Sequence, residues 1–206
     1  FATGDRRLGT QMKATGEVMA IDRTFEASLQ KAVRSLEVGR RSLLWEDPSW
    51  GQDPALYDVV ATDQRLWVLM AALRHGQSPA EIAVRTGVDP WFLHAMERII
   101  EMEKRLLAGP LSHDLLRDAK RMGFSDEQIG TLADFLPEQV RQLRYQWNIR
   151  PVYKMVDTCA AEFEAVTPYF YSTYETENEA LPTEGERALV IGSGPIRIGQ
   201  GIEFDY

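Results

Sequence analysis

The sequence predicts a mainly α-helical protein whose two ends belong to α/β bodies. Three observations predict it. Helix start and stop signals crowd residues 59–147, where apolar residues recur at helical spacing. A cap-and-turn pattern returns there at an offset of 47 residues. At each end stands a short apolar stretch of strand character: Gly16-Glu17-Val18-Met19-Ala20-Ile21 and Arg187-Ala188-Leu189-Val190-Ile191.

The elements follow in order. Residues 16–21 alternate their faces and read as a strand. Thr24 can cap a helix because its hydroxyl accepts from a free backbone N–H. Phe25, Leu29, Ala32, Val33 and Leu36 then recur at helical spacing, and Gly39 reads as the stop. A lone strand and helix cannot bury their own apolar faces, so residues 1–40 should dock on a larger body. Residues 43–57, rich in Trp, Asp, Pro and Gly, read as a loop. Val59 to Leu73 reads as an amphipathic helix with Val60, Leu66, Trp67, Met70 and Leu73 inward, ended by Gly76.

Ser78-Pro79-Ala80-Glu81 then supplies an N-cap, a proline at the first helical position and a capping box. Gly87 breaks that short helix, and Asp89-Pro90 starts a longer one carrying Phe92, Leu93, Met96, Ile99, Ile100 and Leu106. Gly123 to Ile129 repeats the grammar of Gly76 to Ile82, and the same offset aligns Leu93 with Val140, Met96 with Leu143 and Ile100 with Trp147. Two similar helical units are predicted, each too small to bury its apolar stripe alone. From Asn148 on, prolines and aromatic residues suggest an extended linker, and Glu175 to Glu186 an exposed connection. Residues 187–191 read as a buried parallel strand. They run into the glycine-rich Gly192-Ser193-Gly194-Pro195-Ile196-Arg197-Ile198-Gly199-Gln200-Gly201.

Composition narrows the function classes. The 206 residues are 44% hydrophobic and 26% charged, with a net charge of −8. That balance suits a soluble globular chain and opposes general nucleic-acid binding, which needs clustered Lys and Arg. No apolar run approaches the roughly 20 residues that cross a bilayer, so no membrane partner is expected. Phe1 stands where an initiator Met would, so further sequence upstream is expected. One cysteine, Cys159, permits no intrachain disulfide and fits a reducing compartment.

The chemistry-bearing residues give no reaction. The glycine loop could bring its backbone up to a nucleotide phosphate or could simply turn a strand into a helix. Its spacing is neither G-x-G-x-x-G nor a P-loop, which weighs towards packing. His75, His94 and His113 stand 19 residues apart, without the spacing of metal ligands. Cys159 has no nearby His and reads as a buried small side chain. Glu162 and Glu164, two apart, diverge on a helix and form no acid/base pair. The tryptophans at 45, 50, 67, 91 and 147 read as packing residues. Arg98, Lys104 and Arg105, or Arg141 and Arg144, could suggest DNA contact by helix–turn–helix units, but Glu97, Glu101 and Glu103 would repel phosphate.

Three stretches resemble one family. Gln11 to Thr24 resembles the end of the first ATP-grasp unit of carbamoyl-phosphate synthase large chains. Arg150-Pro151-Val152-Tyr153-Lys154, Val156-Asp157-Thr158-Cys159-Ala160-Ala161-Glu162-Phe163 and Tyr171-Ser172-Thr173-Tyr174-Glu175 resemble the connection into the second half. Ile191-Gly192-Ser193-Gly194-Pro195 through Gly201-Ile202-Glu203-Phe204-Asp205-Tyr206 resembles the opening of that half, with Ile196 where the second-half loop usually has Asn. The resemblance implies residues 1–40 as the end of the first ATP-grasp (carboxyphosphate) unit, a helical oligomerisation domain and linker over 41–181, and the first strand and glycine loop of a pre-ATP-grasp α/β domain over 182–206.

It further implies a parent ligase that makes carbamoyl phosphate from bicarbonate, ammonia released from glutamine, and two ATP. ATP and Mg2+ (or Mn2+) serve the parent; the chain itself is expected to hold no cofactor and no metal and to be inactive alone. Implied partners are other large-chain copies, the rest of the large chain and a glutamine amidotransferase subunit, in the cytoplasm or an organelle. By resemblance, Met12, Arg197, Gly201 and Glu203 match positions lining the internal carbamate passage, and no catalytic residue lies in the chain. A free-standing scaffold or regulatory protein derived from the synthase stays open as the alternative.

Overall fold

The structure is a computed structural model that describes residues 4–189 except 12, 14–17, 37–41, 52, 167–168 and 183. Its elements are α1 (Phe25–Ser35), α2 (Arg65–Arg74), α3 (Pro79–Thr86), α4 (Pro90–Leu107), α5 (His113–Arg121), α6 (Asp126–Ala133), α7 (Pro137–Gln146), β1 (Val152–Met155) and β2 (Phe170–Thr173). Two short 3-10 turns, Pro48–Trp50 and Pro54–Leu56, sit in the loop before α2.

The helical middle is an internal duplication, and the offset of 47 holds at atomic detail. The α2–α3–α4 unit corresponds to α5–α6–α7. Gly76 and Gly123 both take positive φ, 95° and 91°. Ser78 Oγ accepts from the Glu81 N–H, and Glu81 Oε2 accepts from the Ser78 N–H at 2.8 Å. One unit later, Ser125 Oγ accepts from the Gln128 N–H at 3.1 Å, and Gln128 Oε1 accepts from the Ser125 N–H at 2.9 Å. Each box satisfies two backbone donors that a helix start would leave free. The short helices then end on left-handed residues, Gly87 (φ 71°) and Asp134 (φ 58°), and the third helices open on Pro90 and Pro137.

The core repeats likewise. Ala72 and Ala119, Ile82 and Ile129, and Leu93 and Val140 are pairs at this offset, and every member is fully buried. With Met70, Ile99, Leu106, Leu116 and Phe124 they join one apolar cluster spanning both units. Each fully buried large apolar side chain contributes about 1.5–3 kcal/mol, and the shared cluster couples the two units.

The helix expected over Val59–Leu73 begins at Arg65. Asp58 Oδ1 accepts from the Val60 N–H at 3.0 Å and Thr62 Oγ1 from the Gln64 N–H at 3.3 Å. These local turns satisfy donors that a helix would otherwise use. The Leu8 N–H also donates to Ala61 O at 2.7 Å, and Arg7 bridges Thr62. From Trp67 to Leu73 every residue of α2 is buried, so α2 is a central helix rather than an amphipathic one.

Both expected terminal strands fail within the described residues. Val18–Ile21 forms no strand, and Met19 is exposed. Arg187–Leu189 forms none either, and Leu189 is 87% exposed where a buried strand was expected. A strand needs a neighbour to satisfy its ladder, and neither stretch pairs as a ladder with another described segment. Conversely, the linker holds an unexpected antiparallel hairpin, with Val152 opposite Thr173 and Met155 opposite Phe170. Gly39, Val190 and the whole glycine loop lie outside the described residues.

Candidate functional site

The passage-lining residues expected by resemblance, Met12, Arg197, Gly201 and Glu203, all lie outside the described residues. The other chemistry-bearing residues are dispersed. His75 Nε2 meets Glu46 at 3.0 Å, His94 meets Glu97 at 3.1 Å, and His113 meets Asp114 at 3.0 Å with its ring edge-on to Trp147. Among the described residues no group of three His, Cys, Asp or Glu could hold a metal. Cys159 is half-exposed rather than buried, because it sits in a turn where Asp157 accepts from its N–H at 2.8 Å. Glu162 and Glu164 lie in that irregular, exposed stretch and not on a helix.

Of the tryptophans, Trp45 packs edge-on to Trp50 (5.3 Å) and Trp67 (6.2 Å), and Trp67 Nε1 donates to Ser42 O at 2.9 Å. Trp91 packs at the surface rather than in the core. It is 55% exposed and joins Phe25 and Phe92 in a T-shaped cluster at the surface. Three of the basic residues weighed for DNA contact are committed elsewhere: Arg98 to Glu26, Arg105 to Asp118 and Arg144 to Asp126.

What the fold does assemble is ionic joints between segments. In the first unit, Arg74 of α2 forks onto Glu103 of α4 (2.8 and 3.0 Å) and also reaches Glu46 of the preceding loop and Leu43 O. Burial pushes the Glu103 carboxyl up against the pull of Arg74. In the second unit, Arg144 of α7 binds Asp126 through Nε and Nη2, and Lys120 of α5 reaches Asp126 at 2.9 Å and Phe124 O at 2.7 Å. Burial alone would raise Asp126, but Arg144 and Lys120 outweigh it and hold the carboxyl below its usual value. Burial lowers Lys120 to about 8, with Asp126 opposing. The Tyr174 ring lies 5.1 Å from Lys120 Nζ and 5.8 Å from the Arg144 guanidinium carbon.

The hairpin is joined at the other side as well. Thr173 Oγ1 donates to Asp22 Oδ1 at 2.9 Å, and Lys31 of α1 binds Asp22 at 2.6 Å, Ile21 O at 2.9 Å and Ser172 O. Arg121 of α5 donates to both oxygens of Glu175 at 3.0 Å. Five consecutive residues, Tyr171 to Glu175, thus connect α1 and its approach to the second helical unit. The stretch from β2 to Glu175 acts as a three-way joint. No local pattern signals it, because each partner is remote in the chain.

A helical pair of repeats with ionic joints at its edges and an appended hairpin defines the class: a duplicated helical unit. Comparison with known proteins places it. The family model described as "Carbamoyl-phosphate synthetase large chain, oligomerisation domain" matches residues 17–148, and the chain belongs to that family. It is 57% identical over 209 aligned residues to the "Carbamoyl phosphate synthase large chain" of Thermomicrobium roseum (strain ATCC 27502 / DSM 5159 / P-2). All of this chain is covered, but only 19% of that relative, so the chain spans about a fifth of the relative's length.

Proposed function

We propose that this chain is the assembly and linking section of a glutamine-hydrolysing carbamoyl-phosphate synthase large subunit. In the parent, bicarbonate, ammonia from glutamine and two ATP yield carbamoyl phosphate, with Mg2+ or Mn2+ accompanying the nucleotide. Here the two helical units supply contacts to other large-chain copies, and β2 ties the end of the first synthetic half to the path into the second. The observation that carries the reading is the duplicated helical core, which coincides with the matched oligomerisation domain.

Light scattering over a concentration series tests the assembly role. Average mass should rise with concentration, and a monomer at every concentration would overturn it. The same preparation should hydrolyse no ATP. Within the parent, Met12, Arg197, Gly201 and Glu203 are proposed to line the carbamate passage, where Arg197 and Glu203 would orient a polar, unstable anion by hydrogen bonds. Replacing Arg197 and Glu203 in the full-length enzyme should uncouple ATP use from carbamoyl phosphate formation; unchanged stoichiometry would refute that role.

A further inference from the structure

Helix α4 buries one side in the shared core and leaves the other to solvent. Trp91, His94, Arg98, Glu101 and Arg105 follow at spacings of three and four, so they form one stripe along that open side. All five are exposed, and Glu97 and Lys104 flank them. From the N-terminal end the charges run in a fixed order: aromatic Trp91, then His94, the Glu97–Arg98 pair, Glu101, and last Lys104 with Arg105. Glu101 makes no ion pair among the described residues. Phe25 and Phe92 brace the Trp91 ring edge-on, with centroids at 5.4 and 5.0 Å. A large ring is thus held rigid at the surface, as an anchor for a partner needs to be.

We propose, resting on the assembly role stated above, that α4 pairs antiparallel with α4 of a second copy of this chain, across a two-fold axis between Glu97 and Arg98. Charge order selects both the partner and the direction. Turned end for end, the stripe meets its own complement. His94 faces the partner's Glu101, Glu97 faces the partner's Arg98, and Trp91 meets the partner's Lys104 and Arg105 as cations on a ring face. Each contact occurs twice, once on either side of the axis. Parallel packing instead sets each residue against itself, so Arg98 meets Arg98 and Glu101 meets Glu101, and like charges oppose. A uniformly acidic or basic partner matches only half of a stripe whose signs alternate. Prior commitments do not block the pairing. Arg98 keeps its own Glu26 yet leaves 48% of its side chain open, and Arg105 keeps Asp118 and leaves 55%. A guanidinium carries five donors and two faces, enough for a second partner.

Two measurements on the full 206-residue chain test it. The first is cysteine crosslinking in a Cys159→Ser background. His94→Cys together with Glu101→Cys should give a disulfide-linked dimer on mild oxidation, because each cysteine faces its complement in the partner. Within one chain the two stand about 10 Å apart along the helix, beyond disulfide reach. Either substitution alone should give no dimer above background, because its two copies lie on opposite sides of the axis. Both positions are exposed, so neither substitution touches the core. The second is light scattering of charge variants. Glu101→Lys should weaken association by about tenfold, and Glu101→Lys combined with His94→Glu should restore it. A wild type whose mass rises with concentration while the double cysteine variant fails to crosslink, or while Glu101→Lys associates unchanged, overturns this surface and leaves the assembly role standing. A wild type that stays monomeric overturns both.

Discussion

Gly123 packs so closely on Ala27 that a β-carbon added to the glycine would stand 2.8 Å from the Ala27 Cα. The contact seats α1 on the turn between α5 and α6. Arg34 donates to Gly123 O at 2.6 Å and Gln30 to Met122 O at 3.0 Å, while Gln128 donates to Gln30 at 2.8 Å. Gly123 also has φ +91°, a conformation that L side chains avoid. Its counterpart Gly76 has φ +95° but open space around its missing Cβ. Gly76→Ala should therefore cost only the backbone strain, about 1–2 kcal/mol. Gly123→Ala should cost roughly 1–3 kcal/mol more, because the neighbour it meets is backbone. Urea unfolding of both variants checks this; equal losses would mean that α1 can shift without penalty.

The two capping boxes should contribute alike. Ser78→Ala and Ser125→Ala each remove an acceptor for an N3 backbone N–H and disturb the reciprocal bond. Each should lose about 1 kcal/mol in chemical denaturation. Because both units share one core, either variant should unfold in a single transition. A separate early transition in one of them would show the units to be independent.

The helical units were legible because their signals are local. Ser78, Gly87, Asp89-Pro90 and Gly123 act within one turn of themselves, so spacing in the chain reports them faithfully. Helix α1 is placed correctly, and Val33 joins the core with Leu29 and Leu36 packed against it; Glu26, Ala27 and Gln30 are buried as well, while Phe25 lies at the surface cluster, because α1 also seats on the polar turn between α5 and α6. The hairpin and its joint were illegible for the opposite reason. Thr173 finds Asp22 across 151 residues, and Tyr174 finds Lys120 across the α5–α7 unit. Nothing in the alternation of Val152–Met155 or Phe170–Thr173 announces such partners.

Asp126 gives the acid side of the stability profile. Its folded value lies below the ordinary 3.8 because Arg144 and Lys120 outweigh its burial. Its contribution is therefore present above the unfolded value and is lost as pH falls through the folded one. Asp126→Asn leaves two largely buried cations without their carboxylate, with side-chain exposures of 10% for Arg144 and 7% for Lys120. The expected loss at pH 7 is about 2–4 kcal/mol, reduced from a fully buried pair because Asp126 keeps some solvent contact. The gap between wild type and variant should narrow below about pH 4. Urea midpoints from pH 3 to 7 test this, and a gap constant across that range would show that the carboxylate's charge contributes nothing.

Thr173 tests the joint from its other side. It is 4% exposed, and its hydroxyl donates to Asp22, a carboxylate with only 6% side-chain exposure that also holds Lys31. Thr173→Val keeps the shape and removes the donor. Asp22 then loses one of the partners that offset its desolvation, a change expected to cost about 1.5–3 kcal/mol. Thr173→Ser keeps the donor and removes a methyl, so it should lose about 1 kcal/mol or less. The two variants separate hydrogen bonding from packing. If β2 is the joint, Thr173→Val should release the hairpin at lower urea than the helices. Amide exchange at residues 152–155 and 170–173 would rise while the α2–α4 core stays protected. Equal losses for valine and serine would assign the contact to packing, and an unchanged hairpin in both would remove Asp22 from the joint.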